Sequence, residues 1–245
     1  MAKSLANSSA TRQSAQTILP IPGRGHYPRE TRMYERYLEP IIEEFTTGEY
    51  YREVYNAKQE FFEKAGIVYE DDVEFEQRMC VFMDWYIFDR DLPGVDLPPI
   101  KYYFRRNKDR FSNEELNIYR DFCSTIHSVF RLKRRTWAKT GLVVQDLFSN
   151  KTYTVQAPEI ARGFARGDIF EARIIPFKAS HEFSRGFCFH PNEMESFILG
   201  EIKRVRFQDK SRQTKLILQL ASMKLKHLRF SHIDIKHIYT SQSKF

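Results

Sequence analysis

Apolar side chains recur at helical spacing from Pro28 onward. Tyr34, Leu38, Ile41, Ile42 and Phe45 fall on one stripe, with Pro40 expected to kink or restart the helix. Gly48 punctuates, and a second stripe of Tyr51, Val54, Phe61, Phe62 and Ala65 ends at Gly66. Asp71 and Asp72 suit a helix N-terminus, and the helix after them presents Phe75, Met79, Phe82, Met83 and Tyr86 on one side. Three prolines and a glycine in DLPGVDLPP (91–99) break the pattern. A short basic helix follows over 101–110. Ser112 and Glu115 then form a capping-box signature for a helix carrying Leu116, Tyr119, Phe122, Cys123, Ile126 and Phe130 on one face.

After Trp137 the period changes to two. Leu142–Phe148 and Lys151–Gln156 read as strands paired across Ser149-Asn150, where Asn tolerates positive φ. Alternation turns Leu142, Val144, Tyr153 and Val155 toward the interior. APEIARGFARGD reads as a polar loop, and Ile169–Phe177 and Glu182–Phe189 as a second strand pair. Helical spacing returns with Met194, Phe197, Ile198, Ile202 and Val205, then with Leu216, Leu220, Met223 and Leu228. The end of the chain is expected to pack back through Ile233, Ile235, Ile238 and Tyr239.

Strands clustered between helices, not alternating with them, predict an α+β fold. The expected parts are a disordered tail (1–28), a helical domain (29–135), a small four-stranded antiparallel sheet or partial barrel (136–191), and basic C-terminal helices with a tail (192–245).

Composition adds class and compartment. An apolar content of 42% with 29% charged residues suits a globular chain. No run reaches the roughly 18 apolar residues of a membrane span, so no membrane partner is expected. Three cysteines far apart in sequence argue against a disulfide framework and suit a reducing cytoplasm.

The net charge of +7 is distributed in blocks: +3 over 1–30, −10 over 31–100, +7 over 101–140, −1 over 141–200 and +8 over 201–245. Such blocks either pack acidic helices beside basic ones or present a basic surface to an acidic partner.

Four phrases together resemble a group of uncharacterised bacterial proteins, some of which carry a small zinc motif called SEC-C. They are FMDWYIFDRDLPG (82–94), LVVQDLFSNKTYTV (142–155), GDIFEARIIPF (167–177) and GFCFHPNEMESFI (186–198). The resemblance implies the same element order and brings no activity. The SEC-C cysteine cluster is missing from this sequence, so the resemblance implies no zinc.

Catalytic and metal constellations are thin. Asp84, Asp89 and Asp91 could hold a divalent cation, but no histidine joins them, and pairing with Arg90 or a basic helix explains them as well. His181, Cys188 and His190 lack an evident fourth zinc ligand, although His232 or His237 could arrive from the tail. GFARGD precedes a strand and therefore offers a phosphate no helix N-terminus. No catalytic residue, metal or cofactor is expected.

The basic segments remain. KYYFRRNKDR (101–110) mixes rings with Lys101, Arg105 and Arg106. RLKRRTWAK (131–139) sets Trp137 beside Lys133, Arg134 and Arg135. The segment 203–215 carries Lys203, Arg204, Arg206, Lys210 and Arg212. Cations for phosphates plus rings for bases are what single-stranded nucleic acid requires. Trp137, opening a strand, is expected in the core rather than at such a surface. The sequence thus points first to a non-catalytic cytoplasmic adaptor or regulatory protein with a protein partner. RNA or DNA binding through the three basic segments is the alternative.

Overall fold

The apolar stripes of the first third assemble into five helices. They are α1 (Glu35–Thr46), α2 (Tyr51–Ala65), α3 (Phe75–Phe88), α4 (Pro99–Asn107) and α5 (Asn113–Phe122). The computed structural model describes residues 32–137 and 140–241, and these belong to one compact unit. The tail expected over residues 1–28 lies outside the described residues.

α1 runs through Pro40 without a break. The capping box forms as expected: the Glu115 amide donates to Ser112 Oγ, and the Ser112 amide donates to Glu115 Oε2 at 2.9 Å. α3 has more than one apolar stripe. Every residue from Arg78 to Phe88 except Asp84 is buried, because α2 and α4 cover one side and a strand covers another. A helix apolar all round belongs in the middle of a protein.

The chain then forms five strands rather than four: β1 (Ile126–Arg135), β2 (Gly141–Asp146), β3 (Thr152–Gln156), β4 (Ile169–Phe177) and β5 (Ser180–His190). The fold is α+β, and the strands close into a small barrel in the order β1-β2-β3-β5-β4. β1 corrects the sequence reading. Ile126 and Phe130 were expected on a helix with Tyr119, and RLKRR on its flank; instead the helix ends at Phe122 and these residues form a strand shared by both halves of the barrel. Its first half, Ile126–Arg131, pairs with β4, and its second half, Phe130–Arg135, pairs with β2 across a bulge at Lys133.

The other pairs are antiparallel except β3 with β5, which meet in a parallel bridge at Gln156 and Glu182. A five-stranded Greek-key barrel wired in this way, with its first strand serving both halves, is an OB-type barrel. Phe130, Leu132, Leu142, Val144, Val155, Phe170, Ile174 and Phe183 fill it. Leu142, Val144 and Val155 are fully buried, as alternation predicts, and Tyr153 packs against the same core.

Three C-terminal helices close the fold: α6 (Glu195–Val205), α7 (Lys210–Arg229) and the short α8 (Ile235–Ile238). Ile198, Ile202, Leu216, Ile217 and Leu220 pack with Val129 and Ile169 on the outside of the barrel, and Ile238 and Tyr239 fold back onto the same cluster. On another side β5 lies so close to α3 that a Cβ at Gly186 would come within 2.9 Å of Val81 Cα and of Asp84 Oδ2. Glycine is required there for this contact.

Candidate nucleic-acid interface

Strand pairing decides which side chains of β1–β3 face outward. Arg131 lies opposite Gln145, which lies opposite Thr152; Arg134 lies opposite Val143, which lies opposite Thr154. Leu132, Val144 and Tyr153 form the alternate, inward row. Apart from Val143 the outer row is polar, and it carries Arg131, which pairs with Glu195, and Arg134.

Beyond Arg135 the β1–β2 turn closes through Thr136. Its amide donates to the Gly141 carbonyl at 2.8 Å, and its hydroxyl accepts from the Gly141 amide at 3.0 Å. Trp137 projects from this turn with 99% of its surface exposed. The expectation that Trp137 is a core residue is overturned, since a residue in the turn has no second layer to pack against. Lys139, in the same turn, lies outside the described residues.

The opposite edge of β1 is lined by the β3–β4 connection. The Leu132 amide donates to the Asp168 carbonyl at 2.9 Å, and the Gly167 amide returns a bond to the Leu132 carbonyl at 3.0 Å. This connection carries exposed Arg162 and Arg166, the first bonded through its carbonyl to Arg135 and the second next to Gly167, which bonds to Leu132. Lys133 and Arg134 are exposed as well, and among the described residues none of these four side chains has a hydrogen-bonding or ion-pair partner. Arg162 and Arg166 were not singled out from sequence. The repeat ARGFARG held the signal, but its place beside β1 depends on a pairing that periodicity does not show.

The remaining candidates divide. Arg135 is structural: its guanidinium donates to the carbonyls of Phe164 at 2.6 Å and Arg162 at 3.2 Å and fastens the β3–β4 connection to the barrel. Arg206 donates to the Leu147 carbonyl at 2.9 Å and to Asn150 Oδ1 at 3.2 Å, at the β2–β3 end of the same sheet. Phe207 beside it is 94% exposed. Arg204 is held by Glu201 at 2.7 Å, whereas Lys203 and Arg212 are exposed. Lys210 turns inward: its stem is exposed, but its ammonium donates to the His127 carbonyl at 2.8 Å. On α4, Lys101 is exposed, Arg106 pairs with Glu44, and Arg105 and Arg106 lie over the Tyr102 ring at 5.6 and 5.4 Å. α4 packs on α1, α3 and α5, and the main described contacts do not join it to the β1–β3 face.

The carboxylates weighed as a metal site serve a different purpose. Asp89 pairs with Arg173 of β4, and Arg90 pairs with Glu53 and with Glu60 at 2.8 Å. Asp91 is exposed. His127 Nε2 lies 2.9 Å from Glu171 Oε1, and its Nδ1 lies 3.3 Å from Asp89 Oδ2, close enough for an ion pair but poorly aligned for a hydrogen bond. Arg173 also donates to Thr125 Oγ1 at 2.8 Å and stacks 4.9 Å from the Phe88 ring.

Burial acts to raise the Asp89 pKa, but the Arg173 charge and the His127 contact hold it below the usual carboxylate range. Burial pushes Asp84 up to about 6 despite Arg173 nearby. Burial acts to lower the His127 pKa, but the Asp89 and Glu171 carboxylates against its ring outweigh it and raise it. Cys188 and His190 are buried, and burial raises the thiol to about 12 and lowers the imidazole to about 4. Among the described residues no group of three or more such side chains is arranged to hold a metal ion. No helix among them is long and apolar enough to cross a membrane.

The chain belongs to a family of unknown function (DUF7986), whose model matches residues 31–219. The match spans the helical part, the whole barrel and the start of α7, and shows no link to the SEC-C-associated proteins. No curated protein and no solved structure matches the chain.

Proposed function

We propose that this protein binds single-stranded nucleic acid along the outer face of β1–β3. The observation that carries the reading is four exposed, unpartnered cations, Lys133 and Arg134 on β1 and Arg162 and Arg166 on the connection bonded to it, together with the fully exposed Trp137 ring in the β1–β2 turn. Cations held in no ion pair are available to phosphates, and an exposed indole is a stacking surface for a base. OB-type barrels use this face, together with the β1–β2 loop, for oligonucleotides; that is an analogy of architecture and adds weight only because the side chains agree with it. At the far end of the face, Arg206 and Phe207 repeat the pairing of a cation with an exposed ring.

The test is a titration of single-stranded RNA and DNA oligonucleotides followed by tryptophan emission. The chain has two tryptophans, and Trp85 is buried, so quenching reports Trp137. Changing Lys133 and Arg134 together to Ser should lower affinity and flatten the salt slope by about one unit per lost phosphate contact. Trp137→Ala should cost about 1–3 kcal/mol for the base it stacks. Wild-type protein that binds neither strand at low salt overturns the reading.

A protein partner is the second reading. It rests on the connection between α2 and α3, where Ile67, Tyr69 and Val73 are 57%, 60% and 98% exposed. A partner held there is released by Val73→Asp and is insensitive to salt, the opposite of the phosphate-binding face.

A further inference from the structure

β3 and β5 share one bridge, at Gln156 and Glu182, and beyond it β5 leaves β3. A cleft of about 430 Å³ opens between the β3–β4 connection, β5 and the start of α3. Phe164, Phe187 and Phe189 stand together in its wall. Their centroids lie 5.9 Å apart for Phe164–Phe187, 5.0 Å for Phe164–Phe189 and 6.1 Å for the stacked Phe187–Phe189 pair. Phe189 remains 37% exposed, so an aromatic face is open to an incoming group.

The polar lining consists of two carboxylates and the Gln77 amide. Glu74 comes from the start of α3 and Glu159 from the connection, and among the described residues no cationic side chain lines the cleft. The nearest partners are Lys224, 3.8 Å from Glu74, and Arg32, 3.9 Å from Glu159. Both separations exceed a hydrogen bond. Arg32 is further engaged by the Phe183 and Ser184 carbonyls. Each carboxylate thus has an ion-pair partner but no hydrogen bond to it, and its oxygens can still accept beside the three rings. Rings with a negative π-face and carboxylates attract the same ligand chemistry, a cation with low hydration. The volume is that of a small-molecule site.

We propose that the cleft binds a small alkylated ammonium ion, with its methyl or methylene groups against Phe164, Phe187 and Phe189 and its charge toward Glu74 and Glu159. The site shares the β3–β4 connection with Arg162 and Arg166 but none of their side chains, and it does not depend on nucleic-acid binding. Choline and its uncharged carbon isostere 3,3-dimethylbutanol make the test, each titrated against the whole protein by calorimetry and by amide shifts around Gly163 and Phe189. Choline should bind saturably and at least tenfold more tightly than the alcohol. Phe189→Leu keeps apolar bulk but removes the π-face, and should abolish the preference for choline. Glu74→Gln with Glu159→Gln should do the same, while Trp137→Ala should leave it unchanged. Equal binding of the two ligands, no saturable choline binding, or an unchanged preference in both cleft variants overturns the proposal.

Discussion

Replacing Asp84 by Asn should make the protein more stable at neutral pH. Asp84 projects from α3 toward β5, and the Ser184 hydroxyl and the Arg173 charge do not offset its burial. Its pKa rises from the ordinary 3.8 to about 6, a difference of about 3 kcal/mol between the folded and unfolded chains. The sign follows from linkage. Below about pH 4 the carboxyl is protonated in both states and costs nothing. Between about 4 and 6 the unfolded chain releases its proton while the folded one retains it. Above about 6 the folded chain must ionise a partly buried group, and the full penalty is present.

Asn has nearly the same shape and no proton to lose. Urea denaturation at pH 4.5, 6 and 8 should give curves separated by about 1 kcal/mol at the lowest pH and by up to about 3 kcal/mol at the highest, with the Asp84→Asn variant the more stable. A variant that is equally stable at every pH, or weaker at pH 8, would show that the Asp84 charge is welcome where it stands.

Four other outcomes are expected. Gly186→Ala forces a Cβ against the backbone of Val81 and should cost about 1–3 kcal/mol, measured as a lower melting temperature. His127 has a raised pKa, so its contribution is complete below its unfolded value near 6.5 and fades as pH rises through the folded value; His127→Gln should remove that alkaline limb from the stability profile. Val144→Asp buries an unpaired charge in the barrel and should cost several kcal/mol, enough to leave no cooperative melt. Arg135→Ser should lower stability by about 1–3 kcal/mol through the two carbonyls it abandons, whereas Arg134→Ser should leave the melt within about 0.5 kcal/mol of wild type.

What was legible in the sequence was local. The capping box at Ser112, the turn at Asn150 (φ 62°) and the span of β4 follow from residues adjacent to one another. β1 was not legible, because Ile126, Val129 and Phe130 also continue the spacing of α5, and pairing with both β2 and β4 settles their conformation. The same long-range pairing hid the candidate surface. Lys133 and Arg134 stood out as a charge run, but nothing in the order of residues separates them from Arg135, which spends its donors on Phe164 and Arg162. Asp84, Asp89 and Asp91 read as a carboxylate cluster for a cation or for Arg90 or a basic helix, since Arg173 and His127, which meet Asp89, lie far along the chain. Trp137 was misplaced because a ring next to a strand ordinarily turns inward, and only the position of the turn shows that it does not.

The burial of α3 on every side has a consequence for how the protein is made. A helix extending from Phe75 to Phe88 finds one of its covers in β5, at Ser180–His190. During synthesis that cover emerges about 100 residues later, a delay of roughly 5–20 s at cellular elongation rates. For that interval Val81 and the neighbouring apolar surface of α3 have no native partner. The nascent chain is then at its most vulnerable to sticking to other chains, and shielding by a chaperone matters more in this window than after release. The barrel completes the helical half as much as itself, so a fragment truncated before residue 180 should collect in aggregates.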